Sequence, residues 1–332
     1  MNIIGIDRGS GYVKVVSDGF MYAFPSVLGE YSKEATFSDS DKRISTVVVD
    51  GKGYTVGSDA IQYCRMANGI SQNENTIGSA AEKAIILYVI GKMYLEHLVS
   101  DSVLISTGLP VDWFCAENVR RMRDSLLGTH TFMVEGIEIT MNVMGVDVGV
   151  QPMAALSDYS IKGGKVVVGE EVRQGVVVID PGWNTIDVVT IKDGIPIKSK
   201  SKSHIGMGCK QLMIDLQSRV AGSTGITYKL HELDAAARGD KRLYHNGIHL
   251  DVADMYEDSR AIWANQVVAW LSEIWDQNEI GSYMLTLLCG GGAMHCVSEV
   301  EESFNAHTSG RFAIASGYYK TSTMRKGGDN HG

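Results

Sequence analysis

Short apolar runs alternate with longer apolar or amphipathic stretches along the whole chain. Residues 46–56, TVVVDGKGYTV, carry β-branched side chains on both sides of an Asp-Gly pair and predict a β-hairpin. Residues 78–99 predict a mostly buried helix, and residues 116–128 predict a helix that Gly128 ends. Because predicted strands and helices interleave, the pattern predicts an α/β fold with mixed sheets.

Four further segments complete the predicted organisation. Residues 102–110 predict a strand that ends at glycine and proline, and residues 131–150 predict a hairpin followed by another strand. Residues 161–175 predict an exposed linker and hairpin between two halves of the chain. The polar, glycine-rich end, residues 321–332, predicts a disordered tail.

One strand–turn–strand pattern occurs twice. Residues 6–16, IDRGSGYVKVV, align with residues 179–189, IDPGWNTIDVV, and an apolar strand precedes the aspartate in both. The matched positions are Ile6 with Ile179, Asp7 with Asp180, Gly9 with Gly182, and Val15-Val16 with Val188-Val189. A repeat at corresponding points of two halves predicts a duplicated, two-domain architecture.

Composition narrows the class of protein. With 332 residues and 44% hydrophobic content, the chain is long enough for two buried cores. Its 30 Lys and Arg against 39 Asp and Glu give a net charge of −9, which disfavours direct binding to a nucleic acid backbone. The N-terminal residues lack the basic region of a signal peptide, and no run of about 18 apolar residues is present. The sequence therefore predicts a soluble, cytoplasmic protein that binds neither DNA directly nor a membrane.

The first glycine loop, DRGSG, has the residue types of an anion-binding turn. It is no Walker A loop, and a strand follows it where a dinucleotide fingerprint has a helix. Gly9 and Gly11 let the backbone approach a phosphate, and Ser10 adds a hydroxyl. Asp7 is placed to face Mg²⁺ through water, and Lys14 supplies a point charge. For this loop alone, a plain hairpin turn with a solvated lysine is the simpler interpretation.

The second loop changes that balance, because two loops can hold a polyphosphate from both sides. Together the motifs resemble the actin, sugar-kinase and heat-shock-chaperone ATPase superfamily. IDRGSGYVKV resembles its first phosphate motif, IDPGWNTIDVV its second, and LLCGGGAM (287–294) its adenosine motif. STGLP and GVQPMAALSDY are similar to its first connecting region, and GRFAIASGYYK to its closing helix. Within the superfamily, the chain is most similar to the ParM-type actin-like proteins of plasmid segregation and their archaeal relatives.

This resemblance implies an actin-like ATPase fold, with two related domains that each have a mixed sheet flanked by helices. The nucleotide is expected in the cleft between domain I, residues 1–160 plus 310–332, and domain II, residues 161–309. The implied cofactors are ATP or ADP and Mg²⁺, with the choice between ATP and GTP left open. The implied partners are further copies of the chain, which form a filament, and a DNA-bound adaptor.

The resemblance also implies site residues. Gln151 would position the attacking water, and Asp7 and Asp180 would face the metal through water, so all three are the predicted catalytic residues. The predicted nucleotide-binding residues are Gly9, Ser10, Gly11, Tyr12, Lys14, Gly182, Trp183, Asn184, Thr185, Gly206, Gly208, Lys210, Gly290, Gly291 and Gly292.

The phosphate loops depart from the family pattern at several positions. Asn184 stands where glycine is common, although Asn tolerates positive φ better than most residues. Pro181 and Trp183 leave the path of the second loop open, and Arg8 is expected to point to solvent or across an interface. Asp187 matches a second family aspartate that lies further from the phosphates and is compatible with a purely structural role.

Two other functions of the same fold remain as alternatives. A small-molecule kinase needs an acidic base near the acceptor hydroxyl and a specificity insert, and the sequence identifies neither. A non-polymerising chaperone-like ATPase module is the other alternative, although the chain lacks an attached peptide-binding domain. The favoured interpretation is an ATPase that polymerises with ATP bound and forms a weaker polymer after hydrolysis.

Overall fold

The computed structural model describes residues 1–31, 44–69, 74–167 and 174–329. The chain divides into two units. Unit 1 comprises Met1–Val168 with Phe312–Gly332, and unit 2 comprises Gly169–Arg311. Unit 1 therefore contains both ends of the chain.

Unit 1 is built on a mixed sheet that has ten strands within the described residues. The strands are β1 (Asn2–Arg8), β2 (Tyr12–Ser17), β3 (Phe20–Pro25), β4 (Val27–Glu30), β5 (Thr46–Val49), β6 (Lys52–Val56), β7 (Ala67–Gly69), β8 (Ser102–Leu109), β9 (Gly128–Val134) and β10 (Ile137–Val150). They lie in the order β3-β2-β1-β8-β10-β9-β5-β6-β4-β7. β8 runs parallel to both β1 and β10, whereas the other neighbours are antiparallel.

Helices cover this sheet. They are α1 (Gly57–Tyr63), α2 (Ala80–Leu95), α3 (Ala116–Leu126), α4 (Gln151–Ser160) and the C-terminal helix α10 (Ala313–Asp329), and a small hairpin joins β11 (Ile161–Lys162) to β12 (Lys165–Val166). Helix α2 begins after Ser79, whose hydroxyl accepts a hydrogen bond from the Glu82 N–H. Its apolar residues from Ala84 to Ile90 are buried in the core of unit 1, as the apolar run predicts.

Unit 2 has a second mixed sheet. Its strands are β13 (Val176–Pro181), β14 (Thr185–Lys192), β15 (Ile195–Pro196), β16 (Lys202–Ile205), β19 (Leu285–Leu288) and β20 (His307–Thr308). The sheet order is β15-β14-β13-β19-β20, and β16 also pairs with β14. β19 runs parallel to both β13 and β20.

The remaining elements of unit 2 surround this sheet. They are α5 (Lys210–Thr224), α6 (Leu230–Arg238), α7 (Ala253–Ile274), α8 (Gln277–Ile280), α9 (Val297–Phe304) and the hairpin of β17 (Arg242–His245) and β18 (Ile248–Asp251). Trp263 of α7 and Trp275 just beyond it are buried in the core of this unit. Among the described helices of both units, none is long and apolar enough to cross a membrane.

The internal repeat of the sequence appears as a repeated supersecondary unit. In β1–β2 the register places Asp7 opposite Lys14, and in β13–β14 it places Asp180 opposite Asp187. The first strand of each hairpin also has a parallel neighbour on its other side, β8 in unit 1 and β19 in unit 2. The predicted α/β fold with two related, mixed-sheet domains is confirmed.

Two predicted elements of unit 1 differ in detail. Residues 137–150 form one continuous strand with a register shift between Val143 and Gly145, instead of a hairpin arm followed by a separate strand. The predicted hairpin after α4 is present at Ile161–Val166. The rest of that predicted segment, through residue 173, lies largely outside the described residues.

The prediction of a disordered C-terminal tail is wrong through Asp329, because α10 continues to that residue. The helix buries one polar side chain in this stretch: the Ser322 hydroxyl donates to Asp147 Oδ2 at 2.6 Å. A polar sequence can therefore form this helix, since its packed face is satisfied by hydrogen bonds to β10. Residues 330–332 of the predicted tail lie outside the described residues.

Candidate functional site

The predicted site residues fall into two groups, one in each unit. In unit 1, Asp7 lies near the end of β1 and is only 3% exposed. Lys14 lies opposite it on β2, and the Lys14 Nζ is 2.7 Å from Asp7 Oδ2. The lysine is therefore buried and ion-paired, whereas a plain hairpin turn would leave it in solvent. A cation and a carboxylate lie side by side at the entrance to the first loop.

The first loop itself, Gly9 to Gly11, connects β1 to β2 in a tight turn. A Cβ at Gly9 would lie 2.8 Å from the Tyr12 carbonyl oxygen, so the turn requires glycine there. The Gly11 carbonyl accepts a hydrogen bond from the Ser26 N–H, which fixes the turn to the strand segment after β3. Ser10 and Tyr12 are partly exposed at the loop, where a ligand can reach them.

The sequence predicts that Arg8 points to solvent or across an interface. In the structure the residue is instead buried within unit 1. Its side chain is 6% exposed, and its Nε lies 2.6 Å from Oε1 of the buried Glu82 on α2. Glu82 Oε2 also accepts the Gly78 N–H at 2.7 Å. Successive strand residues point to opposite faces, so Arg8 faces α2 because its neighbour Asp7 faces the other way. The pair ties the start of the first loop to the N-terminus of α2.

Gln151 occupies the junction that the sequence predicted. β10 ends at Val150, and Gln151 is the first residue of α4 and is buried. In the register of the parallel strands, Gly5, Ser106 and Asp147 lie side by side. Because β1, β8 and β10 run in the same direction, Asp7 and Gln151 both lie at the carboxyl edge of this part of the sheet.

In unit 2, Asp180 lies near the end of β13 and is 7% exposed. Asp187 lies opposite it, and both carboxylate oxygens of Asp187 accept hydrogen bonds from neighbouring hydroxyl groups. Its Oδ2 accepts the Thr185 hydroxyl at 2.7 Å, and its Oδ1 accepts the Ser203 hydroxyl. Asp187 therefore braces β14 and β16, which agrees with the structural role that the sequence left open for it.

The second loop is held by the segment from Gly206 to Lys210. The carbonyls of Gly182, Trp183 and Asn184 accept backbone hydrogen bonds from Cys209, Lys210 and Gly206 respectively, at 3.0, 2.8 and 2.8 Å. Gly208 fits because any Cβ there would overlap the Trp183 carbonyl. Within the described residues, no backbone carbonyl accepts a hydrogen bond from the N–H of Trp183 or Asn184. The carbonyls of the loop are thus used in hydrogen bonds to residues 206–210, whereas the N–H groups of Trp183 and Asn184 have no backbone acceptor among the described residues.

The glycine turn after β19, Gly290 to Gly292, packs on the end of β13. The Gly292 N–H donates to the Pro181 carbonyl at 2.8 Å. Gly290 has a φ of +85°, and a Cβ at this position would overlap Asp180 Oδ1. The predicted adenosine motif therefore meets the predicted metal-facing aspartate within one unit.

Arg238, which the sequence did not single out, joins α6 to this turn. Its Nε lies 2.9 Å from Oδ2 of the fully buried Asp234, and its Nη1 donates to the Gly291 carbonyl at 2.9 Å. The i, i+4 spacing of Asp234 and Arg238 was visible in the sequence, but their contact with the turn was not.

His295 lies beside this ion pair and is fully buried. Its Nδ1 is 2.8 Å from the Tyr256 hydroxyl. Burial, and after it the positive charge of Arg238, lower the pKa of His295 to about 3. The native protein therefore keeps this imidazole neutral at a pH where an unfolded chain would protonate it.

This difference predicts a loss of stability in mild acid. Below about pH 6.5 the unfolded state binds a proton at His295 that the native state does not bind. The contribution of His295 to the free energy of unfolding therefore falls as the pH is lowered to about 3. At about pH 5 the loss from His295 should be about 2 kcal/mol relative to neutral pH. His295→Gln should lose correspondingly less between these two pH values in urea denaturation. Equal losses in both proteins would show that His295 does not titrate this way.

The donor set fits Mg²⁺ held mainly by water. Asp7 in unit 1 and Asp180 in unit 2 are buried aspartates near the end of the strand before a glycine loop, and Mg²⁺ in phosphate sites commonly uses only one or two carboxylates. Among the described residues, no group of three or more His, Cys, Asp or Glu side chains forms a metal cage. The geometry therefore suits a metal that arrives with a phosphate ligand.

Two protein-family models match successive parts of the chain. The model of the N-terminal domain of actin-like proteins matches residues 5–153, and that of the C-terminal domain of the archaeal MreB-like actin homologue matches residues 178–302. A comparison with curated protein sequences found no match.

Solved structures with the same fold extend over nearly the whole chain. An archaeal actin homologue in complex with ADP is 20% identical, with a TM-score of 0.78 over 97% of this chain and 99% of that one. A 15-stranded ParM filament from Clostridium botulinum is 18% identical, with a TM-score of 0.70 over 97% and 99%. ParM of Bacillus thuringiensis with AMPPNP is 16% identical, with a TM-score of 0.72 over 98% and 99%.

The two family models lie in sequence order and together span most of the chain. They agree with the repeated hairpins and with the fold that the solved structures share, and they confirm the resemblance predicted from the sequence. The chain therefore joins a domain that matches the N-terminal model of actin-like proteins to one that matches the C-terminal model of the archaeal MreB-like actin homologue, and it has the actin-like two-domain fold of mixed sheets flanked by helices.

Proposed function

We propose that this actin-like chain binds and hydrolyses a purine nucleoside triphosphate with Mg²⁺ and assembles into filaments in the triphosphate state. The observation that carries the proposal is the second loop. Its carbonyls are tied to residues 206–210, and it keeps the N–H groups of Trp183 and Asn184 for an anion. Backbone N–H groups arranged in this way form an anion-binding nest.

The loop of each unit is assigned a phosphate-binding role. Gly9 to Tyr12 and Gly182 to Thr185 would bind phosphate oxygens, with Lys14 as the neighbouring cation. Lys210, at the start of α5, would lie on the adenosine side. Gly206, Gly208 and the turn from Gly290 to Gly292 would bind the adenosine side. The two predicted domains, residues 1–160 with 310–332 and residues 161–309, are assigned to units 1 and 2. Support comes from an archaeal homologue of this fold that was determined with ADP.

Asp7 and Asp180 would hold Mg²⁺ through water. When bound, this metal would neutralise charge on the phosphates. Lys14 would lie beside Asp7 as its counter-charge, since Lys14 Nζ is 2.7 Å from Asp7 Oδ2. Gln151 cannot act as a strong base, so its amide would orient the attacking water toward the terminal phosphate.

Filament assembly is the second part of the proposal. A ParM protein of the same fold has been determined as a filament, and head-to-tail contacts that do not close into a ring generate such polymers. The net charge of −9 suits a filament that reaches DNA through a bound adaptor instead of touching it. Plasmid or other DNA segregation through such an adaptor is the proposed use of the filament.

Sedimentation tests this function directly. The purified chain is centrifuged with Mg-ATP, with Mg-ADP and without nucleotide, and phosphate release is measured in the same samples. We expect pelleting with ATP that declines as phosphate appears, and little pelleting in the other two samples. Phosphate release without pelleting would favour a non-polymerising ATPase. Phosphate transfer that requires an added small-molecule acceptor would favour a kinase.

A further inference from the structure

Trp183 is the bulkiest departure from the family pattern in the second loop, and the structure gives it a partner. Its indole ring stacks on the imidazole of His231 in α6, with ring centroids 5.3 Å apart and planes 9° from parallel. We propose that Trp183 and His231 are positioning residues that hold the second phosphate loop in its nucleotide-binding path. This inference rests on the nucleotide binding proposed above.

The backbone and the side chain of Trp183 are fixed in different directions. The Trp183 carbonyl accepts the Lys210 N–H at 2.8 Å, so the peptide group is tied to the start of α5. The side chain is half-buried and packs against the core of unit 2. The stack on α6 therefore supplies a second attachment, which limits rotation of the loop about its hydrogen bonds. This places the Trp183 N–H, one of the two proposed phosphate donors, in a defined orientation.

The imidazole of His231 is placed by packing at one of its nitrogens and not by a hydrogen bond there. Its buried Nδ1 has no hydrogen-bond partner within the described residues. Burial lowers the pKa of His231, so the ring stacks on the indole as a neutral group near neutral pH. A stacked aromatic pair of this kind adds stability beyond the area that it buries.

Helix α6 connects this stack to the second ligand-facing turn of unit 2. His231 lies in its first turn, and Arg238 at its other end donates to the Gly291 carbonyl. The helix is about 13 Å long and rigid on that scale. Helix α6 therefore fixes the spacing between the second loop and the glycine turn. The contact that attaches the loop to this helix is the stack of Trp183 on His231.

The test compares Mg-ADP affinity, measured by calorimetry, with thermal stability in a set of variants. Trp183→Ala and His231→Ala should each weaken ADP binding by about threefold to tenfold, the scale expected from losing one aromatic pair. The double variant should lose no more ADP affinity than the single variant with the larger loss, because both substitutions remove the same contact. His231→Phe keeps the stack and should restore most of the affinity.

Trp270 provides the matched control. It is a half-buried tryptophan of the same unit that contacts a histidine, His204, edge to face at 5.4 Å, and neither residue belongs to the loop. Trp270→Ala should change thermal stability as much as Trp183→Ala does, but leave ADP affinity unchanged. Intrinsic fluorescence should respond to ADP in the parent and in Trp270→Ala, and much less in Trp183→Phe.

The outcomes separate the two levels of the proposal. A parent chain that binds neither Mg-ADP nor Mg-ATP overturns the proposed function and this inference with it. A parent that binds ADP, together with a Trp183→Ala variant of equal affinity, overturns the inference alone. Equal losses of affinity in Trp183→Ala and Trp270→Ala would reduce the stack to ordinary packing and would also overturn it.

Discussion

Asp180→Ala should abolish nucleotide hydrolysis while unit 2 remains folded. Asp180 lies near the end of β13, directly before the second loop, and the glycine turn at Gly290 packs against its carboxylate. Without this carboxylate, unit 2 loses its proposed attachment to the metal. Asp180 lies near the carboxyl end of β13 and is not part of the apolar core of unit 2, so the substitution removes no apolar packing from that core. Phosphate release with Mg-ATP measures the loss.

Asp187 offers a matched control for that substitution. It is an equally buried aspartate directly opposite Asp180 in the hairpin, but its oxygens accept the hydroxyls of Thr185 and Ser203. Asp187→Ala should therefore lower the melting temperature more than it lowers turnover at a temperature where the variant is folded. If Asp180→Ala hydrolyses ATP at the parent rate, the assignment of the second loop is wrong.

The sequence predicts best those parts of the fold and of the candidate site that arise from residues close together in the chain. An apolar strand, an aspartate and a glycine turn followed by another strand predict a hairpin, and the repeat of that pattern predicts two related domains. Gln151 could be placed for a similar reason, because the apolar strand before it ends where Pro152 favours the first turn of a helix. These features involve residues close together in the chain, so periodicity and turn chemistry are sufficient.

Contacts between residues that are far apart in the sequence leave no such local pattern. Arg8 carries a charge, which suggested a position in solvent, but its partner Glu82 lies on another element and only the fold brings the two together. Ser79 and Glu82 had a visible signal, since a serine followed three residues later by glutamate is typical of a helix start. No sequence pattern indicates that Glu82 also forms an ion pair with Arg8, at the start of the first loop.

The same limit explains the missed partner of Trp183 and the error at the C-terminus. His231 has no sequence feature that links it to the second loop, and the stack depends on where α6 packs. The polar, glycine-rich composition of the C-terminal residues predicts disorder. A helix needs only one satisfied face, and Ser322 and Asp147 supply a buried hydrogen bond that composition does not reveal.

Gln151→Ala should slow hydrolysis by roughly 10²–10⁴-fold, the scale for losing one positioned group in proton transfer. Nucleotide affinity and assembly should remain nearly intact, because neither needs the attacking water. The variant removes a side chain at the first residue of α4, where the intrahelical hydrogen bonds of later turns do not depend on it. Ser157→Ala, later on the same helix, removes a hydroxyl that donates to the Met153 carbonyl, and it serves as the control for disturbance of α4.

Pelleting over time, recorded beside phosphate release, tests both halves of this prediction together. Filaments of Gln151→Ala should persist long after parent filaments have disassembled, since the proposed polymer would weaken only when the triphosphate is hydrolysed. Ser157→Ala should follow the parent in both measurements. Normal phosphate release by Gln151→Ala would remove this residue from the mechanism. Lost assembly with normal nucleotide binding would give it a structural role at the start of α4, because a residue that only orients water contributes nothing to the contacts between subunits.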